Sequence, residues 1–235
     1  MTAAERGGPI VALVPMRHHS ERVPGKNYRP VAGRPLYVYI LEALQQVSEV
    51  SQIVVDTDSP TIRDGVAERF PSVRILDRPE SLRGDAVPMN DILVHDAEQV
   101  PAGLYLQTHS TNPLLQPATI GSALAALRAS PDHDSLFAVT RLQARLWSAE
   151  GRPINHDPGE LLRTQDLPAV FLENSCLYLV ERTALLSRRN RLGQNPLLFA
   201  IDPAEAWDID EEFDVTIAEC LIRDRQRRMA QGGAG

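Results

Sequence analysis

Lysine is almost missing from this chain. It carries 24 Lys plus Arg in 235 residues, and all but one are arginine; the exception is Lys26. Cysteine is scarce as well. Cys176 and Cys220 give no disulfide framework and no C-x-x-C metal site, which points to a reducing cytoplasm. No apolar run reaches the roughly 18 residues that would suggest a membrane span. Met1 to Gly8 is polar and too short for a signal peptide, so a soluble cytoplasmic protein is expected. Positive charge is in deficit: the formal net charge of −7 argues against a general binder of nucleic acid or anionic membrane, but leaves room for a local basic pocket. There is no G-x-S-x-G elbow, and Cys176 falls within a strand pattern, so a covalent hydrolase is not expected. No fixed-period repeat occurs, and the only biased segment is the Gly/Ala tail after Met229, which should fray. Length and a hydrophobic content of 43% allow one domain over 1–235 with a substantial core.

The lone lysine sits in the stretch from Ile10 to Asn27, IVALVPMRHHSERVPGKN. Ile10 to Val14 is an unbroken apolar run ending at Pro15, the pattern of a strand buried on both faces. The loop behind it carries Arg17, Ser20, Arg22, Gly25 and Lys26. Cationic side chains and backbone N–H groups at the carboxyl end of a buried strand suit a polyphosphate. Lysine is a compact point charge and arginine a wide fork, so a chain that retains one lysine here has a physical reason to do so. The loop is not a Walker A loop: Asn27 follows Lys26 where that pattern needs Ser or Thr, and Ser20 replaces its first glycine.

Downstream, short apolar strands alternate with amphipathic helices. Helices are expected over Leu36–Val47, from Ser59-Pro60 through Phe70, over Asp91–Val100 and from Pro117 to Leu127. Strands are expected at Ile53–Val55, Val73–Leu76, Gly103–Thr108, Ser135–Val139 and Asn174–Val180. This order predicts an α/β fold: an open, mostly parallel, Rossmann-like sheet with helices on both faces. Ligands of such sheets bind outside the carboxyl ends of the strands, so Arg17, Asp58, Arg78 and His109 should converge on one crevice.

The pattern changes over 141–175, where turn signals interrupt short alternating pieces that include Leu146, Trp147 and Phe171. An inserted arm that packs on another subunit is expected. Near the end, Asp208 and Asp210 flank Ile209, which in extended backbone directs both carboxylates to one side. Hard oxygen donors at i and i+2 suit Mg²⁺; the bland alternative is one capping Asp, at Asp210 before the helix Glu211–Met229, and one surface Asp. His18-His19 and the remaining histidines show no metal-ligand spacing.

PMRHHSERVPGKNYRPVAGRPL resembles the opening signature of the sugar-acid cytidylyltransferases, the sialic acid (CMP-acylneuraminate) synthetases and their Kdo cousins. It departs at His18 and His19, where the family has small residues, and at Glu21, where a basic residue is common. Arg78-Pro79-Glu80-Ser81-Leu82 with Gly84-Asp85 resembles the segment that reads the cytosine, with Met89 where the family has a serine. Gln107, Thr108 and Ser110 to Pro113 resemble the strand-end segment facing the acceptor, and the absence of an acidic residue there places the chain nearer the sialic acid branch. Arg163-Thr164-Gln165 resembles the clamp for the acceptor carboxylate.

The resemblance, which runs from about Ile10 to the final helix, implies a nucleotidyltransferase fold and a homodimer whose arm reaches the partner's site. It implies CMP transfer from CTP to an anionic acceptor, a 2-keto-3-deoxy sugar acid, with release of pyrophosphate. Lys26, Arg17 and Arg22 would neutralise the leaving group; Ser20, Asn27, Arg78 and Asp85 would bind the nucleotide. Gln107, Thr108, Asn112, Arg163 and Gln165 would bind the acceptor, and Asp208 and Asp210 would hold Mg²⁺. Two rivals remain: a small phosphonate as the CMP acceptor, and a non-catalytic nucleotide-binding subunit on the same fold.

Overall fold

The first strand, β1 (Ile10–Met16), is buried at all seven positions because it lies in the middle of everything else. In the computed structural model, which describes residues 8–232, it pairs in parallel with β4 (Val50–Thr57) on one side and β6 (Leu104–Thr108) on the other. Alternate β1 residues serve two cores. Ile10, Ala12 and Val14 pack with α1 (Leu36–Gln45), α2 (Pro60–Arg69) and α4 (Pro117–Arg128). Val11 and Leu13 pack with α3 (Met89–Gln99) and α5 (Arg182–Arg188) on the opposite face. A strand with no wet face has no need of polar alternation, hence the uninterrupted apolar run.

β5 (Arg74–Asp77) pairs in parallel with β4. Beyond β6 the sheet continues through β8 (Val170–Glu181), which is antiparallel to both β6 and β7 (Ser135–Leu142), to β9 (Pro196–Ala200), parallel to β7. The order is β5-β4-β1-β6-β8-β7-β9, with one reversed strand in seven. The open, mostly parallel sheet with helices on both faces is therefore as expected. A two-stranded hairpin of β2 (Pro30–Val31) and β3 (Arg34–Pro35) follows the first loop. Ser59 caps α2 as its sequence suggests, its Oγ accepting from Ile62 N at 3.3 Å with Pro60 in the first turn.

Two expectations need correction, and one alternative is excluded. α5 and β9 had no counterpart in the sequence pattern; both are short, and β9 is an edge strand with partly exposed side chains. The sheet also reaches further into the region expected as an arm, because β7 and β8 stay paired out to Leu142 and Val170. The irregular excursion is thus 143–169, at the end of a long hairpin. Finally, Asp210 does not cap α6 (Glu212–Gly232): the backbone N–H groups of Asp210 and Glu211 both donate to Asp214 Oδ2, at 2.9 and 2.7 Å. That leaves the Asp210 carboxylate to other partners. The tail expected to fray after Met229 is helical as far as the end of α6, and Met1 to residue 7, where a polar start was expected, and residues 233–235 lie outside the described residues. No helix among the described residues is long and apolar enough to cross a membrane.

Candidate active site

The loop after β1 is pinned from several sides. Gly25 has a φ of 66°, and a Cβ there would meet the Tyr28 ring at 2.9 Å, so glycine is required twice over. It leads into a single 3-10 turn, Lys26–Tyr28. Asn27 is buried, donating from Nδ2 to the Arg17 carbonyl at 2.7 Å and accepting from Ser110 Oγ at 2.7 Å, which ties the loop to the end of β6. His18 stacks on Tyr28 with ring centroids 5.3 Å apart, its Nδ1 lies 2.7 Å from Ser59 Oγ, and its N–H donates to Asp58 Oδ1 at 2.7 Å. A small residue could make neither the stack nor the bond to Ser59. Asp58 therefore braces the loop from behind.

The loop meets the chain's far end. Lys26 Nζ donates to the Ile209 carbonyl at 2.6 Å and to Asp210 Oδ1 at 3.2 Å, and only 13% of its side chain is exposed. Ile209 is fully buried against Val23, Leu36 and Leu114, so its two neighbours Asp208 and Asp210 face the other way, into a shared cavity. The Ile209 N–H donates to the Thr111 carbonyl at 3.0 Å, which docks the acidic segment beside the end of β6. Arg22 holds Asp210 at 2.8 Å and Glu211 at 3.2 Å from an exposed position, and these partners raise its pKa, the Glu211 hydrogen bond most and the Asp210 charge next.

The cavity has a volume of about 370 Å³ and lies outside the carboxyl ends of β1, β5 and β6. This is within the usual range for small-ligand sites. Arg17, Ser20, Lys26, Asn27, Arg78, Asp85, Asp208 and Asp210 all line it, so eight of the fourteen residues singled out above are brought together. Arg17 pairs with Asp85 across it. Arg22 stands at its margin through Asp210. Gln107, Thr108 and Asn112 are not brought to the wall: all three are buried, and Thr108 Oγ1 is spent on the Cys176 carbonyl at 2.7 Å. Arg163 and Gln165 sit on the 143–169 excursion, where Arg163 is 73% exposed and pairs locally with Asp166.

His109, expected at this crevice, and Thr111, from the segment resembling the acceptor-facing strand end, also line it, whereas Ser175 had no signal in the sequence. Ser175 has a φ of 57°, a left-handed backbone for a non-glycine residue inside a strand. Such strain persists where surrounding structure over-determines it, often at functional sites. His109 is held neutral, its pKa lowered to about 3 by burial and by the charges of Arg191 and Lys26. Cys176 is buried and its thiol is pushed up by burial, consistent with an inert core residue.

Two acidic groupings offer oxygen donors to a metal. Asp208 and Asp210 supply hard oxygens on one wall, and Asp208 Oδ1 is buried without a hydrogen-bond partner among the described residues. Burial raises the Asp208 pKa, with hydrogen bonding from Thr111 opposing. An orphaned carboxylate oxygen on a residue that lines a phosphate-sized space fits Mg²⁺. Asp56, His95 and Asp96 also bring ligand atoms within 4.8 Å of one another. There the fit is worse, because the buried Arg78 guanidinium already clamps Asp56 from Nε and bonds its carbonyl at 3.2 Å. The cheaper solution for two buried carboxyls beside one arginine is to keep a proton.

Asp96 is accordingly pushed up to about 8, by burial first and by the Asp56 charge second. In the unfolded chain it would ionise near the usual carboxylate value of about 4. The folded state therefore holds an extra proton between these limits. Stability should be fullest at acid pH and fall as pH rises towards 8, at up to about 1.4 kcal/mol per pH unit. In Asp96→Asn this slope should vanish, so the melting temperature of the variant gains on wild type from pH 5 to 9; parallel curves would refute the shared proton.

Comparison with known proteins agrees with this geometry. The family model described as cytidylyltransferase matches residues 11–228. CMP-N,N′-diacetyllegionaminic acid synthase of Legionella pneumophila subsp. pneumophila is 43% identical, over 94% of this chain and 99% of that protein. N-acylneuraminate cytidylyltransferase of Oncorhynchus mykiss is 26% identical, over 89% of this chain and 49% of that protein. Among solved structures, a CMP:2-keto-3-deoxy-manno-octonic acid synthetase complexed with CTP has a similar fold. Its TM-score is 0.71 at 17% identity, covering 92% of this chain and 99% of that one.

Proposed function

Because the chain belongs to the cytidylyltransferase family, we propose that it transfers CMP from CTP to a 2-keto-3-deoxy sugar acid and releases pyrophosphate. One observation carries the reading: Lys26 of the first loop touches Asp210, 184 residues away, on the wall of one strand-end cavity. A cationic phosphate loop and an acidic pair are then presented to the same ligand. The relative named for a legionaminic acid, at 43% identity, favours a sugar acid over a phosphonate as the acceptor.

In this reading an acceptor oxygen attacks the α-phosphorus in line, one P–O bond forms, and the bond to pyrophosphate breaks. Lys26 and Arg17 offset the charge that builds on the leaving group, and Arg22 does so from the margin. Arg78, fixed by Asp56, and Asp85, fixed by Arg17, shape the base end together with Asn27 and Ser20. Asp208 and Asp210 would hold Mg²⁺, whose chemistry there is to neutralise phosphate and acceptor oxygens. The deciding assay is Mg²⁺-dependent pyrophosphate release from CTP with panels of nonulosonic acids and small phosphonates. Turnover with a sugar acid is expected. Turnover with phosphonates alone would replace the acceptor, and CTP binding without any turnover would defeat the enzyme reading.

The excursion 143–169 supports a homodimer. Trp147 is 53% exposed and Leu161 89%, and Leu172, on β8 where the excursion returns to the sheet, is 53% exposed, more apolar surface than a solvated arm needs. A second copy covering it would bring Arg163 and Gln165 towards the partner's cavity. The double substitution Leu161→Asp and Leu172→Asp should shift the sedimentation mass from dimer to monomer; a wild-type monomer at micromolar concentration would remove the arm from the model of the site. The two free cysteines are consistent with a reducing cytoplasm as the compartment.

A further inference from the structure

Beneath the cavity wall at the end of β6, packing dictates where a proton sits. Gln107 Nε2 lies 3.1 Å from the Thr108 carbonyl and 2.9 Å from His109 Nε2, while its Oε1 lies 2.9 Å from Arg191 Nη1. A guanidinium only donates and a carbonyl only accepts. Both neighbours therefore force one orientation on the amide: oxygen to Arg191, nitrogen to Thr108 and His109. An amide nitrogen has only hydrogens to offer, so His109 Nε2 must carry the lone pair. A neutral imidazole has one N–H, and here it is on Nδ1.

The relay is rigid at its far end. Arg191 lies 3.7 Å over the Tyr178 ring and donates to the Tyr178 hydroxyl at 2.9 Å. At the near end, His109 lines the cavity, and its Nδ1 has no hydrogen-bond partner among the described residues.

Position selects the ligand. The crevice runs across the sheet from Arg78, Asp85 and Met89, after β5, to His109, Thr111 and Ser175, at β6 and β8. The phosphate loop on β1 stands between them. A nucleotide with phosphates at Lys26 and base towards Arg78 leaves the β6–β8 end for the other substrate.

Resting on the cytidylyltransferase reading above, we infer that Arg191 and Gln107 lock His109 as a neutral Nδ1–H donor to an oxygen of the anionic acceptor. His109 is then a substrate-binding residue, and Gln107 and Arg191 are positioning residues. A neutral donor gives the acceptor the same hydrogen bond across the physiological pH range.

The test uses the intact protein labelled with ¹⁵N-histidine. The His109 ring signals, assigned by their loss in His109→Ala, should show Nδ1 protonated and Nε2 bare between about pH 5.5 and 8.5. Gln107→Glu keeps an acceptor for Arg191 but places a carboxylate on Nε2, so the proton should move to that nitrogen, a change no purely structural role of Gln107 would produce. With N,N′-diacetyllegionaminic acid as probe, His109→Ala should lower acceptor kcat/KM roughly tenfold, the scale of one lost hydrogen bond, and leave the KM for CTP within about twofold. Gln107→Glu should likewise raise the acceptor KM selectively. A wild-type ring protonated on Nε2, or an unchanged acceptor kcat/KM in His109→Ala, would overturn the inference while the enzyme reading stands. No turnover by wild type with any sugar acid would overturn the enzyme reading and the acceptor assignment together, leaving the tautomer to be read independently.

Discussion

Lys26→Met is expected to lower kcat for pyrophosphate release by about 10²- to 10³-fold, the loss typical when one preorganised charge-stabilising donor is removed. The reason lies in the placement of Nζ. It ends a side chain only 13% exposed, is anchored on the Ile209 carbonyl at 2.6 Å and lies within 3.2 Å of Asp210, on the wall where a leaving pyrophosphate would build charge. Methionine keeps most of the stem's volume and removes only the charge and its donors. The loss of the Ile209 contact should cost about 1 kcal/mol of stability, small enough for the fold to survive. Lys26→Arg is expected to recover little, because a planar fork does not fit a slot closed by Ile209 and Asp210. Single-turnover kinetics at saturating CTP separate chemistry from binding. A kcat within about threefold of wild type in Lys26→Met would strip the lone lysine of its role.

The same lysine shows what local sequence can reveal. An apolar run ending in proline, a glycine before the only lysine, and Ser59-Pro60 ahead of a helix are signals whose causes lie within a few residues. β1, the 3-10 turn at Lys26 and α2 all form where those signals stand. Asp210 carried two readings, metal ligand or helix cap, because the partners that decide between them are distant in sequence. An Asp ahead of a helix looks like a cap, but Arg22 and Lys26, both more than 180 residues away, draw its carboxylate into the cavity, and Asp214 takes the backbone N–H groups instead. Gln107 likewise looked like a wall residue. Its amide is engaged underneath by Arg191, 84 residues further on, so it acts on the cavity only through His109. The left-handed Ser175 and the edge strand β9 have no local signal, since one depends on a bulged hairpin and the other on pairing with a distant strand.

Asp208→Asn should separate stability from activity more sharply than any other substitution in the chain. Asp208 Oδ1 is buried with no donor to satisfy it among the described residues, and burial without a partner is costly for a charged oxygen. In the absence of a cation the amide should therefore melt at a higher temperature than the carboxylate, by a few degrees for a chain of this size if about 1 kcal/mol is relieved. Activity should move the other way. A neutral oxygen is a far weaker ligand for a hard divalent ion, so Mg²⁺-dependent pyrophosphate release is expected to fall by about 10³-fold or more. The two effects share one cause, a carboxylate buried for a ligand the isolated chain cannot supply. Adding Mg²⁺ with CTP should raise the melting temperature of wild type by binding linkage and leave Asp208→Asn nearly unmoved. A variant that is less stable than wild type without Mg²⁺, or that still gains stability from Mg²⁺ and CTP as wild type does, would mean that Asp208 is a structural residue and that the cation is held elsewhere.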